Sequence, residues 1–404
     1  DEARIWERNA RKKPATDKRV AVIGTGPAGL TAAFYLAKQG HDITVFEALP
    51  VAGGMMRVGI PAYRLPREVL DNEIQDIQKA GVEIKTSARV DSIDGLFEEG
   101  YNAVLVAVGT HQGQRLNIPG ADHEGVLIGL DFLRDVNMGK KVTVGKNVMV
   151  LGGGNVAFDC ARVARRLGAE KVSLACLECG ADMPAACDEI DEGEEEGISI
   201  YPSRTFTKIL SENGTITGVE FLDVASFSFD DENNLQLEVV EGSHHVLEAD
   251  TVIFAIGQNP EIPEGFELDT GPGNLIILDE YTHTTNREGV YAAGDAVTGT
   301  TSVIEAIASG RQAAIAIDQY LGGDGDIDEE LAPAVEPRTC LGPGEGFASL
   351  SRCEDTCISA EERIKDFCTV VGDIDEETAN NESMRCLQCD TRLKISPVKF
   401  WGEY

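Results

Sequence analysis

An α/β fold with two doubly wound parallel sheets is predicted by three observations. The segment Gly24-Thr25-Gly26-Pro27-Ala28-Gly29 stands between a β-branched apolar run and a helical pattern, and Gly152-Gly153-Gly154-Asn155-Val156-Ala157 repeats that arrangement. A second apolar strand ending in an acid follows each helix, at Glu47 and at Glu178. Each unit then closes on a matching strand-to-glycine exit, at Gly109 and at Gly257.

Taken in order, residues 1–17 form an N-terminal arm, and the absence of a methionine at Asp1 points to a missing upstream segment. Arg19-Val20-Ala21-Val22-Ile23 is a buried strand, the helix after it stops at Gly40, and Asp42-Ile43-Thr44-Val45-Phe46 is the next strand. Each glycine of the first loop has a physical task. Gly24 makes the tight turn, Gly26 lets the backbone approach a diphosphate, and Gly29 permits close helix–strand packing, while Pro27 and Ala28 open the helix. Glu47 lies about 20 residues on, where a carboxylate accepts hydrogen bonds from the adenosine ribose. The unit is therefore a Rossmann-like dinucleotide-binding domain.

The second unit runs from the strand Asn147-Val148-Met149-Val150-Leu151 through its loop and helix to Val172-Ser173-Leu174-Ala175-Cys176-Leu177. Glu178 at that strand end would bond a free 2′-hydroxyl and repel a 2′-phosphate, which favours NAD(H) over NADP(H). The alternative is a solvated loop acid, with Arg204 or Lys208 brought near by the fold. One dinucleotide site suits a dehydrogenase, whereas two suit a flavin facing a nicotinamide, so FAD is expected on the Gly24 loop and NAD(H) on the Gly152 loop.

The strand Val290-Tyr291-Ala292 ends in Ala293-Gly294-Asp295, and an amphipathic helix follows Thr301 and Ser302. These segments read as the first domain resumed. The expected division is an FAD domain of residues 18–135 and 270–322, an inserted NAD domain of residues 136–269, a Gly- and Asp-rich linker at 323–337 and a Cys-rich segment at 338–404. A net charge of −34 argues against nucleic acid and anionic membranes as partners. The run from Asp188 to Glu196 reads as the solvated face of a helix. No apolar stretch of membrane-spanning length and no signal peptide are visible, and ten cysteines without a secretion signal fit a reducing cytoplasm.

The two glycine loops, Gly53-Gly54-Met55-Met56 with Gly59-Ile60-Pro61-Ala62-Tyr63-Arg64-Leu65-Pro66, and Ala293-Gly294-Asp295 together resemble the glutamate synthase small-subunit family. That family includes flavoprotein subunits of electron-bifurcating transhydrogenases and related iron–sulfur complexes, with a disulfide-reductase-like two-domain fold. The resemblance implies that Asp295 bonds the ribityl or diphosphate region of FAD. It further implies that Gly54, Met55 and Arg64 line the flavin, and that Thr301, Ser302 and Val303 present a helix N-terminus to its pyrimidine edge. Positive helix-end charge there stabilises negative charge gained on reduction. NADPH-using members commonly carry two arginines where this chain has Leu177 and Glu178, a departure that favours NAD(H).

No side chain is expected to be catalytic, because the flavin carries the chemistry. The first flavin helix lacks the cysteine pair of disulfide reductases, Cys176 and Cys179 read as incidental, and His244-His245 sits in a polar hairpin-like stretch. Six of the ten cysteines, Cys340, Cys353, Cys357, Cys368, Cys386 and Cys389, fall in the last segment. Cys353, Cys357, Cys386 and Cys389 are the candidate ligands of a [4Fe-4S] cluster, with zinc or unligated thiols as alternatives and Cys340 and Cys368 as further candidates. The expected function is an FAD-dependent NADH oxidoreductase subunit of a hetero-oligomeric electron-transfer complex, within a family whose range includes bifurcation. It would pass electrons to iron–sulfur partner subunits or ferredoxin. A glutamate synthase small subunit, and a docking subunit with structural flavin and a zinc-bound tail, are the alternatives.

Overall fold

The computed structural model describes residues 13–229, 235–279, 282–328, 346–353 and 356–386. The chain divides into two units, one of residues 11–327 with 360–368 and one of residues 1–10, 328–359 and 369–404. The larger unit carries both glycine loops. Among the described residues, no helix is long and apolar enough to cross a membrane.

A five-stranded parallel sheet has the order Val290–Ala292, Ala103–Val106, Arg19–Ile23, Asp42–Phe46, Val82–Lys85. Its strands are β-branched because both faces are covered. Val20 and Val22 pack beneath Ala32 and Leu36 of the helix Pro27–Lys38, whereas Ala21 and Ile23 meet Ile93, Leu96 and Val290 on the other side. The helix Val303–Tyr320 crosses Pro27–Lys38 closely, since a Cβ on Gly310 would stand 2.3 Å from the Ala28 carbonyl oxygen.

A second parallel sheet repeats the plan in the order Val126–Ile128, Thr251–Phe254, Asn147–Leu151, Lys171–Ala175, Ile198–Tyr201. This corrects one expected boundary. Val126–Ile128 was expected within the first domain, yet it pairs with Thr251–Phe254 and takes the position that Val290–Ala292 holds in the first sheet. The edge strand comes last in the first sheet and first in the second, so its place in sequence misleads. An antiparallel sheet of Arg204–Glu212, Thr215–Phe229, Leu235–Val239 and His245–Glu248 is appended to this domain. Two chain crossings join the domains. They pair as a short antiparallel ribbon, Gln112–Gly113 with Gln258–Asn259, and the Gln258 amide donates to Thr110 Oγ1 at 3.0 Å.

The expected linker is anchored at its start, because Asp318 accepts from the Gly325 amide at 2.8 Å and Gln39 donates to the Asp326 carbonyl at 2.7 Å. Residues 329–337 lie outside the described residues. In the smaller unit, the helix Glu376–Ser383 is capped by Asp375, and the Glu382 carboxylate accepts from the Cys353 amide at 2.9 Å.

The acidic run was expected to be solvated, and one side of it is not. Arg162 is fully buried and meets Glu189 at 2.9 Å, Glu192 at 2.6 Å and Glu196 at 2.8 Å, while Arg166 meets Glu196 at 2.6 Å. Burial works against the Glu196 charge, but hydrogen bonds from Arg166 and Arg162 hold its carboxyl below the ordinary range. Its stabilising effect is therefore complete at neutral pH and lost as the pH falls through the carboxylate range. Removing one partner of such a network leaves a buried charge uncompensated. Arg162→Met is expected to lower unfolding free energy by about 3–5 kcal/mol, measured by urea titration at neutral pH.

Candidate functional site

At the first loop, Gly24 has φ of +110° and a Cβ there would lie 2.3 Å from the Ala107 carbonyl oxygen. A Cβ on Gly29 would lie 2.2 Å from the Gly24 oxygen, so the helix Pro27–Lys38 seats directly on the turn. Gly26 differs. It caps that helix with φ of −69°, and a Cβ there would meet nothing within 4 Å. Open space in front of a helix N-terminus, where amides carry partial positive charge, is what a diphosphate requires.

Glu47 is buried beside this space. Its Oε2 accepts from the Thr25 amide at 3.1 Å and from the Thr25 hydroxyl, and its Oε1 accepts from the Leu49 amide at 2.8 Å. A carboxylate has about four acceptor positions, which leaves one on Oε1 for a ribose hydroxyl. The second glycine pair closes over the loop: a Cβ on Gly54 would fall 2.7 Å from the Gly26 Cα, and the Gly53 amide donates to Thr25 Oγ1 at 3.0 Å. Met55 begins the short helix Met55–Val58 at this point. Sequence reasoning missed Thr25, although a hydroxyl inside a glycine loop is the visible signal.

The returning segment reaches the same place. Gly294, with φ of +72°, approaches Ala28, and its amide donates to Ser309 Oγ at 2.9 Å. Asp295 follows it. Burial raises the pKa of Asp295 against hydrogen bonds from Thr301, whose hydroxyl donates to it at 3.1 Å. Ser302 caps the helix Val303–Tyr320 in a reciprocal box with Glu305, which satisfies the Glu305 amide and leaves the Val303 and Ile304 amides as first-turn donors. Gly109, with φ of +64°, lies three residues beyond the strand Ala103–Val106, just before the buried Thr110. These residues suit an FAD cradle by their open glycine, helix-end amides and an acid with one acceptor position left. Arg64 is engaged with the second domain: its guanidinium meets Asp159 and Glu189, at 2.9 and 2.7 Å.

The second loop has the same geometry. Gly152 has φ of +140° and packs on the Ala255 carbonyl, Gly154 caps the helix Asn155–Arg166 with open space before it, and Ala157 is fully buried where a third glycine would stand. Asn155 accepts from the Ala186 amide at 2.9 Å, and the half-buried Val156 completes the turn. Gly257, with φ of +119°, accepts through its carbonyl from the Gln114 amide at 2.9 Å. Glu178 lies against this loop, because a Cβ on Gly153 would come within 3.0 Å of its Oε2. Arg204 is turned to the Pro202 and Ser203 carbonyls and Asp223, and Lys208 is exposed.

Burial, helped by Glu178, pushes the Cys176 thiol up to about 12, so it stays protonated at neutral pH. Cys179 is exposed and donates to Asp182, and neither forms a disulfide. Of the candidate cluster ligands, Cys340 and Cys389 lie outside the described residues. Cys357, Cys368 and Cys386 are exposed and Cys353 is half-buried. No group of three or more His, Cys, Asp or Glu among the described residues could hold a metal ion.

The two kinds of glycine separate by experiment. Gly26→Ala is expected to keep the native far-ultraviolet circular dichroism spectrum yet lose FAD absorbance on purification, since its Cβ enters only the diphosphate space. Gly24→Ala is expected to destabilise the fold itself.

The comparisons agree with this geometry. The chain is 39% identical over 385 residues to the NADP(+)-dependent formate dehydrogenase subunit beta of Moorella thermoacetica, covering 92% of this chain and 54% of that protein. It is 33% identical over 338 residues to the glutamate synthase [NADPH] small chain of Escherichia coli K12, covering 78% of this chain and 71% of that one. It thus spans about half the length of the first of these relatives. A solved structure of FprA from Mycobacterium tuberculosis shares the fold, with a TM-score of 0.66, 18% identity and coverage of 77% of this chain and 85% of that one. The family model for pyridine nucleotide-disulphide oxidoreductases matches residues 18–310, from the first strand to the middle of the returning helix. The chain belongs to the pyridine nucleotide-disulphide oxidoreductase family and is an FAD-dependent NAD(P)H oxidoreductase.

Proposed function

We propose that this chain is the NADH-oxidising flavoprotein subunit of a multi-subunit electron-transfer assembly. The observation that carries the coenzyme choice is Glu178, whose carboxylate lies against Gly153 at the end of the strand that receives the adenosine ribose. A 2′-phosphate there would meet a carboxylate, with Arg204 engaged elsewhere. The relatives reported above are named for NADP(H), and Glu178 is the feature of this chain that favours NAD(H) instead. The names "subunit beta" and "small chain" support a multi-subunit assembly; in it, partner subunits with iron–sulfur centres, or ferredoxin, would receive the electrons.

FAD held here would supply the redox chemistry, a hydride acceptor toward nicotinamide that can release electrons singly. The chain's own residues supply position and field. Gly26 and Gly154 bring two helix N-termini to two diphosphates, and Glu47 and Glu178 each orient an adenosine ribose. Asp295 and the helix end at Val303 would hold the rest of the flavin, the latter favouring negative charge gained on reduction.

Anaerobic protein loaded with FAD is expected to be bleached by NADH with a kcat/KM at least about tenfold above that for NADPH. Glu178→Arg is expected to reverse the preference, a tenfold change being about 1.4 kcal/mol. A higher efficiency with NADPH in the native protein overturns the coenzyme assignment. Flavin that stays oxidised with both coenzymes overturns the electron-transfer role.

A further inference from the structure

The loop that follows the glycine pair at Gly53 and Gly54 touches the machinery of both nucleotide sites. Its first end lies on the Gly26 loop, with the Gly54 Cβ position 2.7 Å from the Gly26 Cα. At its second end, Arg64 Nη1 donates to both oxygens of Asp159 at 2.9 Å, and Arg64 Nε lies 2.7 Å from Glu189 Oε1. Asp159 is the fifth residue of the helix that opens at the Gly154 loop. Between these ends, Asn137 of the second domain donates to the Val58 carbonyl at 2.9 Å.

The loop is also held from the outside. Arg162 and Arg166 lie over the Tyr63 ring at 4.8 and 4.0 Å, and Phe367 packs on it from the segment 360–368, where Arg363 meets Glu195 at 2.8 Å. The two chain crossings make only a two-residue ribbon, so the domains need a further fixed point to hold a defined mutual orientation.

We propose that Arg64 is a positioning residue, clamping the nicotinamide domain to the flavin domain so that the Gly154 and Gly26 loops stand at the separation hydride transfer requires. Reacting atoms must come within about 3–3.5 Å, and small misplacements cost orders of magnitude in rate. Arg64 meets Asp159, so its influence passes through that carboxylate and the helix behind Gly154. This inference rests on the oxidoreductase reading above.

Protonation gives the clamp a second handle. Burial pushes the Asp159 carboxyl up to about 7, against the pull of Arg64. The groups facing it are Arg64 and Tyr63 from the loop, Glu189 from the helix Cys187–Glu195, and Arg162 from its own helix. Beyond these, Glu192 and Glu196 pair with Arg162, Glu196 also pairs with Arg166 over the Tyr63 ring, Asp366 interacts with Arg166, and Arg363 meets Glu195. An Asp with a raised pKa takes up its proton as the pH falls through about 7, and the ion pair with Arg64 is lost there. Ionising it as the pH rises through that window costs folding stability, so the charged clamp is held against a penalty.

The test compares native protein with Arg64→Gln, Arg64→Lys and Asp159→Asn. Stopped-flow reduction of bound FAD at saturating NADH is expected to slow at least about tenfold in Arg64→Gln, with the half-saturating NADH concentration within about threefold of native. Arg64→Lys should recover part of that loss. The native rate should fall as the pH drops through about 7, and Asp159→Asn should be slow and flat across that range. Hydrogen–deuterium exchange of ligand-free Arg64→Gln should rise several-fold at residues 110–114 and 257–260 but not in the sheet strands. Should Arg64→Gln fail to fold, the isosteric Asp159→Asn carries the same expectations. Native rates and native exchange in a folded variant overturn the clamp. If native flavin is reduced by neither NADH nor NADPH, the oxidoreductase reading fails, and the exchange comparison still decides the clamp.

Discussion

Two helix N-termini must stay bare of side chains, and most of this structure follows from that requirement. At Gly26 and Gly154 the first-turn amides face open space, because neither position carries a Cβ that would fill it. The preceding glycines, at φ of +110° and +140°, bend each chain so tightly that a backbone carbonyl closes behind the turn. The covered parallel sheets, the close crossing at Gly310 and the acids at Glu47 and Glu178 all serve to hold those two ends in place. Charge on a bound diphosphate then meets oriented amides that need no rearrangement.

A chain with two such sites must also fix their separation. The ribbon at Gln112–Gly113 and Gln258–Asn259 is too short to do so, and the structure adds a polar junction instead. Arg64, Asp159, Glu189, Arg162, Arg166 and Glu196 form a connected set of ion pairs around the buried Tyr63 ring. Such networks add little net stability relative to apolar packing, yet they are strict about geometry. Strictness of orientation is what a joint between two redox sites requires.

What the sequence revealed followed the range of the interactions concerned. The glycine loops, their strands and their acids were legible because each constraint is local: a positive φ, a helix start, a carboxylate one strand further on. The edge strand Val126–Ile128 was misplaced because parallel sheets fill their edges from either end of the sequence. The acidic run was misread because its counterions, Arg162 and Arg166, lie a full βα unit earlier on a buried helix face. Two arginines four residues apart beside Asp159 were the available signal. The ion-pair partners of Arg64 were not legible, because they are distant in sequence and are assembled only by the fold.

One nucleotide belongs to each loop in the proposed arrangement, and a structure of the protein with FAD and NADH bound anaerobically tests that assignment most directly. The expected result is the FAD diphosphate on the amides following Gly26 and the nicotinamide dinucleotide diphosphate on those following Gly154, with Glu47 and Glu178 each at an adenosine ribose. Exchanged positions, or a single nucleotide spanning both loops, would contradict it.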